Sequence, residues 1–260
     1  MSRAVVATGY GGPEVLSVLD VEDPVPGPGE VLLDVRAAGV NPIDWKSYSG
    51  AFGTDPTRLP IRLGLEVAGV VVAVGPGVDD PPVGDEVIAT GVVGGYAELV
   101  VVPAARVAPK PAKISWAEAS GLLLTGGTAV HTLEATGVAA GDVVLVHGAS
   151  GSVGRFVVQL ARLRGAQVVA TASEAMHAEL RALGAVPVTY GPGLADRVRD
   201  AAAALGPVTV AIDTVGTDEA LDVSVELVAD RSRIATIAEA AQAHRDSIAG
   251  HARGKLVLLP

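Results

Sequence analysis

The reading of the fold turns on one stretch, Val143-Val144-Leu145-Val146-His147-Gly148-Ala149-Ser150-Gly151-Ser152-Val153-Gly154. An apolar strand runs into a glycine-rich turn, and the turn into an amphipathic helix on which Val153, Phe156, Val157, Leu160 and Leu163 recur at spacings of three and four. Such a turn builds a site for the pyrophosphate of a dinucleotide. Gly151 lets backbone approach the phosphates, Gly154 lets the helix pack closely on the strand, and the first helical N–H groups face the anion at the positive end of the helix dipole. Ala149 stands where the G-x-G-x-x-G pattern has its first glycine, so the pattern by itself also describes an ordinary strand–turn–helix corner. A second strand at 167–171, directly after the helix ends at Gly165, completes a strand–helix–strand unit within the roughly 30 residues it needs.

The same alternation extends outward on both sides of the turn. From Trp116 onward, strands fit at 143–147, 167–171, 186–189, 208–213 and 232–237, and helices at 152–164, 174–183, 194–205 and 218–227. Five strands with intervening helices predict a parallel, doubly wound sheet, since parallel strands need crossover connections. The first ~110 residues differ: short alternating segments at 4–7, 15–19, 31–37, 67–74, 86–89 and 97–102 are separated by Pro/Gly turns such as Pro24-Val25-Pro26-Gly27-Pro28-Gly29. That pattern predicts a small irregular β-barrel-like domain, with a boundary near 109–113.

Composition narrows the function. Of 260 residues nearly half are hydrophobic, so a substantial core is available, yet no apolar run approaches the ~18 residues of a membrane span. The formal net charge of −10 argues against nucleic-acid or anionic-membrane partners, which need a basic surface. Cysteine is absent, so disulfides, thiolate zinc sites and cysteine nucleophiles are excluded, and the five His show no metal-ligand spacing. The N-terminus starts as a strand without a signal-peptide pattern, which reads as a cytoplasmic protein.

A series of short motifs, each weak alone, occurs in a specific order: Gly11-Gly12-Pro13-Glu14-Val15-Leu16, Pro26-Gly27-Pro28-Gly29-Glu30-Val31, Ala38-Gly39-Val40-Asn41-Pro42-Ile43-Asp44-Trp45-Lys46, Glu66-Val67-Ala68-Gly69-Val70-Val71, Gly84-Asp85-Glu86-Val87, Gly94-Gly95-Tyr96-Ala97-Glu98, the glycine turn, Asp213-Thr214-Val215-Gly216 and His251-Ala252-Arg253-Gly254-Lys255-Leu256-Val257-Leu258. In this order they resemble the medium-chain dehydrogenase/reductase superfamily in its zinc-free, quinone oxidoreductase-like branch. The resemblance implies an α/β protein made of a GroES-like β-barrel domain (1–112, completed by 239–260) and a Rossmann domain (113–238). Zinc-dependent members carry a Cys where Asn41 stands and a His where Leu65 stands, and both are missing here, in agreement with the independent argument from zero cysteine. Glu66 keeps its place, as a structural carboxylate.

In that branch NADPH gives hydride to a quinone or an α,β-unsaturated carbonyl, with the enzyme supplying positioning and a polar contact to developing negative charge. The resemblance places Asn41 near nicotinamide and substrate, although Asn41-Pro42 also reads as a plain turn. Tyr48 is either a hydrogen-bond donor to a substrate carbonyl or a packing tyrosine; Lys46 is a similar candidate or a solvated charge. Cofactor contacts implied are Thr128 at the carboxamide, Ala149, Gly151, Ser152, Val153 and Gly154 at the pyrophosphate, and Val215 and Ile237 beside the nicotinamide. The second strand ends Thr171-Ala172-Ser173, without the acidic residue that NAD-preferring sites place there, and the resemblance implies 2′-phosphate contacts from Ser173 and Tyr190. His177 and Arg181 are the nearest basic candidates. Glu174 competes as an acidic signal, or stabilises a helix N-terminus.

One departure from the family is large. The fifth Rossmann strand, 232–237, is followed at once by what resembles the family's last helix, 238–249, and final strand, 255–258. The sixth strand, its crossover helix and the loop over the nicotinamide are missing, as by an internal deletion near 237–239. The family's homodimer pairs sixth strands, so that dimer is expected to be lost or rebuilt. The readings left open are a quinone or enone reductase, an enoyl-thioester reductase, and a truncated protein that holds NADPH without turnover.

Overall fold

The computed structural model describes residues 1–237, and the chain divides between Leu124 and Thr125 into two compact units. The first carries β1 (Ser2–Ala7), β2 (Leu16–Val21), β3 (Glu30–Ala38), α1 (Pro42–Tyr48), β4 (Ile61–Arg62), β5 (Glu66–Val74), β6 (Glu86–Thr90), β7 (Leu99–Pro103), β8 (Val107–Pro109) and α2 (Trp116–Ser120). Its strands form an antiparallel three-stranded sheet, β2-β1-β4, and an antiparallel five-stranded sheet, β7-β3-β5-β6-β8. Alternate residues of the larger sheet build one core, with Val31, Leu33, Val67, Val71, Val87, Val100 and Val102 buried. β3 slips register against β5 at Leu32/Leu33 and at Val35/Ala37, which bends this strand as bulges do.

Two elements depart from expectation in this unit. At Asn41-Pro42 the chain starts a helix rather than a plain turn: proline occupies the first helical position, and the Asp44 carboxylate accepts the Asn41 backbone N–H at 2.8 Å. The division of the chain also falls beyond residue 112, because α2 lays Trp116 and Ala119 against Ala68 and Ile88 and so packs on the β-rich unit.

The remaining elements are α3 (Leu123–Ala135), β9 (Val143–His147), α4 (Ser152–Leu163), β10 (Gln167–Thr171), α5 (His177–Ala182), β11 (Val186–Val188), α6 (Leu194–Ala202), β12 (Val210–Asp213), α7 (Asp218–Leu227) and β13 (Ile234–Thr236). The five strands form one parallel sheet in the order β11-β10-β9-β12-β13. Every residue of β9 is buried, and its side chains alternate between two cores. Val144 and Val146 pack with Val157, Val158 and Ala161 of α4 and Leu180 of α5, whereas Val143 and Leu145 pack with Leu194 and Val198 of α6 and Val223 of α7. A strand covered on both faces loses its polar alternation, which is why this run is uniformly apolar.

From β9 the chain winds first toward β11 and later back to β12 on the other side. Strand order therefore reverses at β9, and such a switch point leaves a crevice at the carboxyl ends of the strands. The expected strand at 232–237 is shorter, because Asp230 accepts the Ser232 N–H at 3.0 Å and turns residues Arg231–Arg233 into a short 3-10 helix first. The helix expected at 174–183 likewise opens with a 3-10 turn, Glu174–Met176. Among the described residues β13 is the last strand and pairs only with β12. The helix expected at 238–249, the strand at 255–258 and the return of 239–260 to the first unit lie outside the described residues.

At the amino ends of the strands, Arg233 reaches both oxygens of Asp142 at 2.9 and 2.7 Å, and also donates to the carbonyls of Thr136 and Gly137. These bonds hold the Asp142 carboxyl down from 3.8 to about 2. Between those values the unfolded chain binds a proton that the folded chain does not, so this contribution is complete above about 4 and is lost as pH falls toward about 2. Asp142→Asn should cost about 2 kcal/mol of unfolding free energy at neutral pH. In denaturant titrations the gap to wild type should close as pH is lowered through that window; a gap independent of pH would contradict the assignment.

Candidate cofactor site

The turn after β9 is built by close backbone approach. Gly148 adopts φ +68°, and a Cβ there would lie 2.5 Å from Val215 Cγ2 and 2.7 Å from Thr214 Oγ1. Gly154 sits so near the turn that a Cβ would meet Gly148 O at 2.4 Å and Ala149 Cα at 2.7 Å. Gly148 was not singled out from sequence, where the pattern directed attention to Ala149; its signal was its place at the strand end. Ala149 is fully buried and its N–H donates to Thr171 O at 3.0 Å, so it shapes the turn from beneath. Gly148 N–H donates to Thr171 Oγ1 at 3.2 Å, and Thr214 Oγ1 to His147 O at 2.7 Å, which stitches the turn to the strand ends on both sides.

Gly151 and Ser152 are exposed and Val153 half-buried. A Cβ at Gly151 would come no nearer than 3.3 Å to anything, so its open face is not demanded by packing. No side chain caps the N-terminus of the 12-residue α4, whose first turn holds no acidic residue. Arg155 Nε donates to Ser150 O at 2.8 Å while its guanidinium pairs with Glu179, anchoring the turn to α5. Free helical N–H groups behind a neutral, exposed glycine turn are the donor set a pyrophosphate requires, and the residues present fit it.

Across the crevice, Asp213 is 2% exposed and organises the next turn. Its carboxylate accepts Val215 N–H at 2.8 Å, Gly216 N–H at 3.0 Å and Thr236 Oγ1–H at 2.9 Å, leaving Val215 half-exposed beside Gly148. Ile237 N–H reaches Asp213 O at 3.0 Å. His147 is buried at 1%, and burial pulls its pKa down to about 4 against the pull of Asp213 and Glu219, so the ring is neutral at pH 7. Ser173 closes β10 half-buried, with Glu174 exposed; Tyr190 follows β11 and is exposed. Thr128 lies half-buried on α3, its carbonyl accepting Thr132 Oγ1–H at 2.7 Å. The structure thus gathers Ala149, Gly151, Ser152, Val153, Gly154 and Val215 at the switch point, with Ser173 and Tyr190 after neighbouring strands.

In the first unit, Asn41 is buried and Nδ2 donates to Glu66 Oε1 at 2.9 Å. Glu66 Oε2 accepts Leu124 N–H at 3.0 Å, and burial raises this carboxyl above its ordinary range despite both bonds. Asp44 accepts Gly64 N–H at 3.2 Å and Tyr96 Oη–H at 2.8 Å, and burial followed by the Asp44 bond raises the Tyr96 phenol. Sequence reasoning missed Asp44 and Tyr96, since their pairing joins residues far apart in the chain. Tyr48 packs in a buried cluster with Ala7, Ile61 and Leu63. Among the described residues no group of three His, Cys, Asp or Glu is placed to hold a metal, and no helix is long and apolar enough to cross a membrane.

Residues 27–112 match the alcohol dehydrogenase GroES-like domain, and residues 152–250 the family described as zinc-binding dehydrogenase. A mycobacterial protein solved as a complex with NADPH is 34% identical, superposes with a TM-score of 0.84, and is matched over 100% of this chain and 81% of its own. The chain belongs to the quinone oxidoreductase-like branch of the medium-chain dehydrogenase/reductase family. The quinone oxidoreductase of Coxiella burnetii is another family member of similar structure, with 29% identity, a TM-score of 0.84, and coverage of 100% of this chain and 82% of that one. The quinone oxidoreductase of Lama guanicoe is 40% identical over 175 residues, 66% of this chain and 53% of that protein. The chain spans about half the length of the curated family members it matches.

The two kinds of glycine separate experimentally. Gly154→Ala should destabilise the fold by about 1–3 kcal/mol, since the added methyl meets rigid backbone. Gly151→Ala should cost less than about 1 kcal/mol in the same denaturant titration. Equal losses would contradict the packing described.

Proposed function

We propose that this chain is a cytoplasmic, NADPH-dependent, metal-free oxidoreductase acting on a quinone or an α,β-unsaturated carbonyl. The observation that carries the reading is the open, uncapped glycine turn at the switch point of the parallel sheet, in a chain of this family. Bound at that turn, NADPH supplies the hydride. Ser152, Val153 and Gly154 present backbone donors to its pyrophosphate, Gly151 gives it close approach while its own N–H donates to Gly148 O at 3.0 Å, and Ala149 shapes the turn beneath. Val215 and Ile237 flank the nicotinamide end and Thr128 takes the carboxamide. Ser173 and Tyr190 take the 2′-phosphate, because β10 ends without a carboxylate to claim the ribose hydroxyls.

On the substrate side Asn41 is the polar group, held by Glu66 through Nδ2 and by Asp44 through its backbone. The burial of the Tyr48 ring among Ala7, Ile61 and Leu63 supports a packing role over proton donation. The metal-free reading rests on residue types: the chain has no cysteine, and Asn41 and Leu65 stand at the zinc-ligand positions.

Two other readings have specific support. A structure titled CurK enoyl reductase is 26% identical with a TM-score of 0.85, over 95% of this chain, which favours an enoyl-thioester substrate as the alternative. The sequence join near 237–239, where the family carries further residues, favours a protein that binds NADPH without turnover. On that sequence join the proposal includes loss of the family's sixth-strand homodimer, so sedimentation should not show the usual dimer; finding it would overturn this part.

Steady-state oxidation of NADPH in the presence of a benzoquinone is the direct test. Oxidation that depends on the quinone supports the enzyme reading, binding without oxidation supports the binding protein, and a preference for NADH overturns the cofactor assignment. Asn41→Ala should lower kcat by about tenfold or more, whereas Tyr48→Phe should leave kcat unchanged.

A further inference from the structure

The loop between β11 and α6 carries Tyr190 on a backbone with little means of holding itself. It contains Gly191 at φ +101°, Pro192 and Gly193 at φ +81°, and the Tyr190 ring is 57% exposed. Two side chains outside the loop supply the missing order. Arg197, one turn into α6, directs its whole guanidinium at loop carbonyls: Nε to Thr189 O at 2.9 Å, Nη1 to Pro192 O at 2.8 Å and Nη2 to Gly191 O at 2.7 Å. From the first turn of α7, Glu219 Oε2 accepts the Gly191 N–H at 3.0 Å. The peptide groups on either side of Tyr190 are thereby pinned from two helices, and the Gly191 residue is held through both its N–H and its C=O.

The chemistry of this clamp is specific. A guanidinium offers five donors in a rigid plane and can serve three carbonyls at once, which an ammonium on a flexible stem cannot do in the same geometry. Arg199, two residues on, faces solvent and pairs with Asp196 and Glu226, so it marks what an ordinary surface arginine does on this helix. Arg197 makes no ion pair among the described residues and spends its donors on the backbone that carries Tyr190.

We propose that Arg197 and Glu219 are positioning residues that hold Tyr190 ready for the 2′-phosphate of the cofactor, and so set the preference for NADPH over NADH. The proposal rests on the assignment of Tyr190 to that phosphate made above. Ordering of the loop is met on folding instead of on binding, so the phosphate contact keeps its full affinity. Neither side chain touches the cofactor, and both act through the loop.

The test uses two probes that lack the nicotinamide, adenosine 2′,5′-bisphosphate and AMP, titrated calorimetrically into the full chain. Wild type should prefer the bisphosphate. Tyr190→Phe and Arg197→Ala should each reduce that preference by about tenfold, the size of one hydrogen bond to a charged group, with AMP affinity unchanged. Arg197→Lys should fall between, Arg199→Ala should match wild type, and the double variant Tyr190→Phe/Arg197→Ala should lose no more than Tyr190→Phe alone, since both remove one interaction. A fall in preference with Tyr190→Phe but not with Arg197→Ala overturns the clamp and leaves the cofactor assignment standing. No preference for the bisphosphate in wild type, or none lost with Tyr190→Phe, overturns the assignment and the clamp with it. Parallel losses for both probes in Arg197→Ala show a merely structural role and also overturn it. Glu219→Ala removes a single acceptor on a half-buried helix start and reads the same ratio should Arg197→Ala fail to fold.

Discussion

The contact on which the second unit depends is the approach of α4 to the end of β9. Gly154 lies against Gly148 O and Ala149 Cα at a separation that leaves no room for a Cβ. This closeness draws the helix axis onto the strand end and aims its first N–H groups out of the turn. It also lets Val157, Val158 and Ala161 pack on Val144 and Val146. Gly148 is under the reciprocal constraint from Thr214 and Val215, so the two turns that flank the switch point are fitted to each other. One steric condition therefore sets the helix position, one core and the open donor face together.

Carboxylates shape the rest, and they do so by serving backbone. Asp213 gathers the N–H groups of a turn, Asp44 ties a helix start to Gly64 and Tyr96, Glu66 links Asn41 to Leu124, and Asp142 closes the far end of the sheet with Arg233. Buried charges are costly unless their lone pairs are satisfied, and each of these accepts at least two hydrogen bonds. The acidic excess of the chain is thus partly internal scaffolding. The open donor face of the glycine turn is left without an acidic side chain, which suits an anionic ligand.

Much of the parallel sheet was legible in the sequence. β9, β10 and α7 fall at the residues expected, because a strand buried on both faces and a helix with one apolar face leave periodicities that neighbours do not disturb. Boundaries went astray where a side chain intervened: Asp230 turned the approach to β13, and α2 joined the β-rich unit because Trp116 and Ala119 had a partner there. Of the candidate site, the strand–turn–helix corner with its close-packed Gly154 could be read from the sequence. The surroundings of Tyr48 could not, since only the folded chain places Ile61 and Leu63 around its ring.

What the sequence by itself determined is what local steric rules and chemical inventory can determine: a strand–turn–helix with glycines where backbones meet, alternating elements that require a parallel sheet, and a chain without thiolates. Only the tertiary structure decided which carboxylate serves which backbone group, that Gly148 is the glycine the strand end demands, and that Arg197 and Glu219 grip the loop bearing Tyr190. The reason is range. Periodicity and φ preferences act over a few residues and are written into the chain, whereas a hydrogen bond between residues separated by tens of positions exists only once the sheet has brought them together.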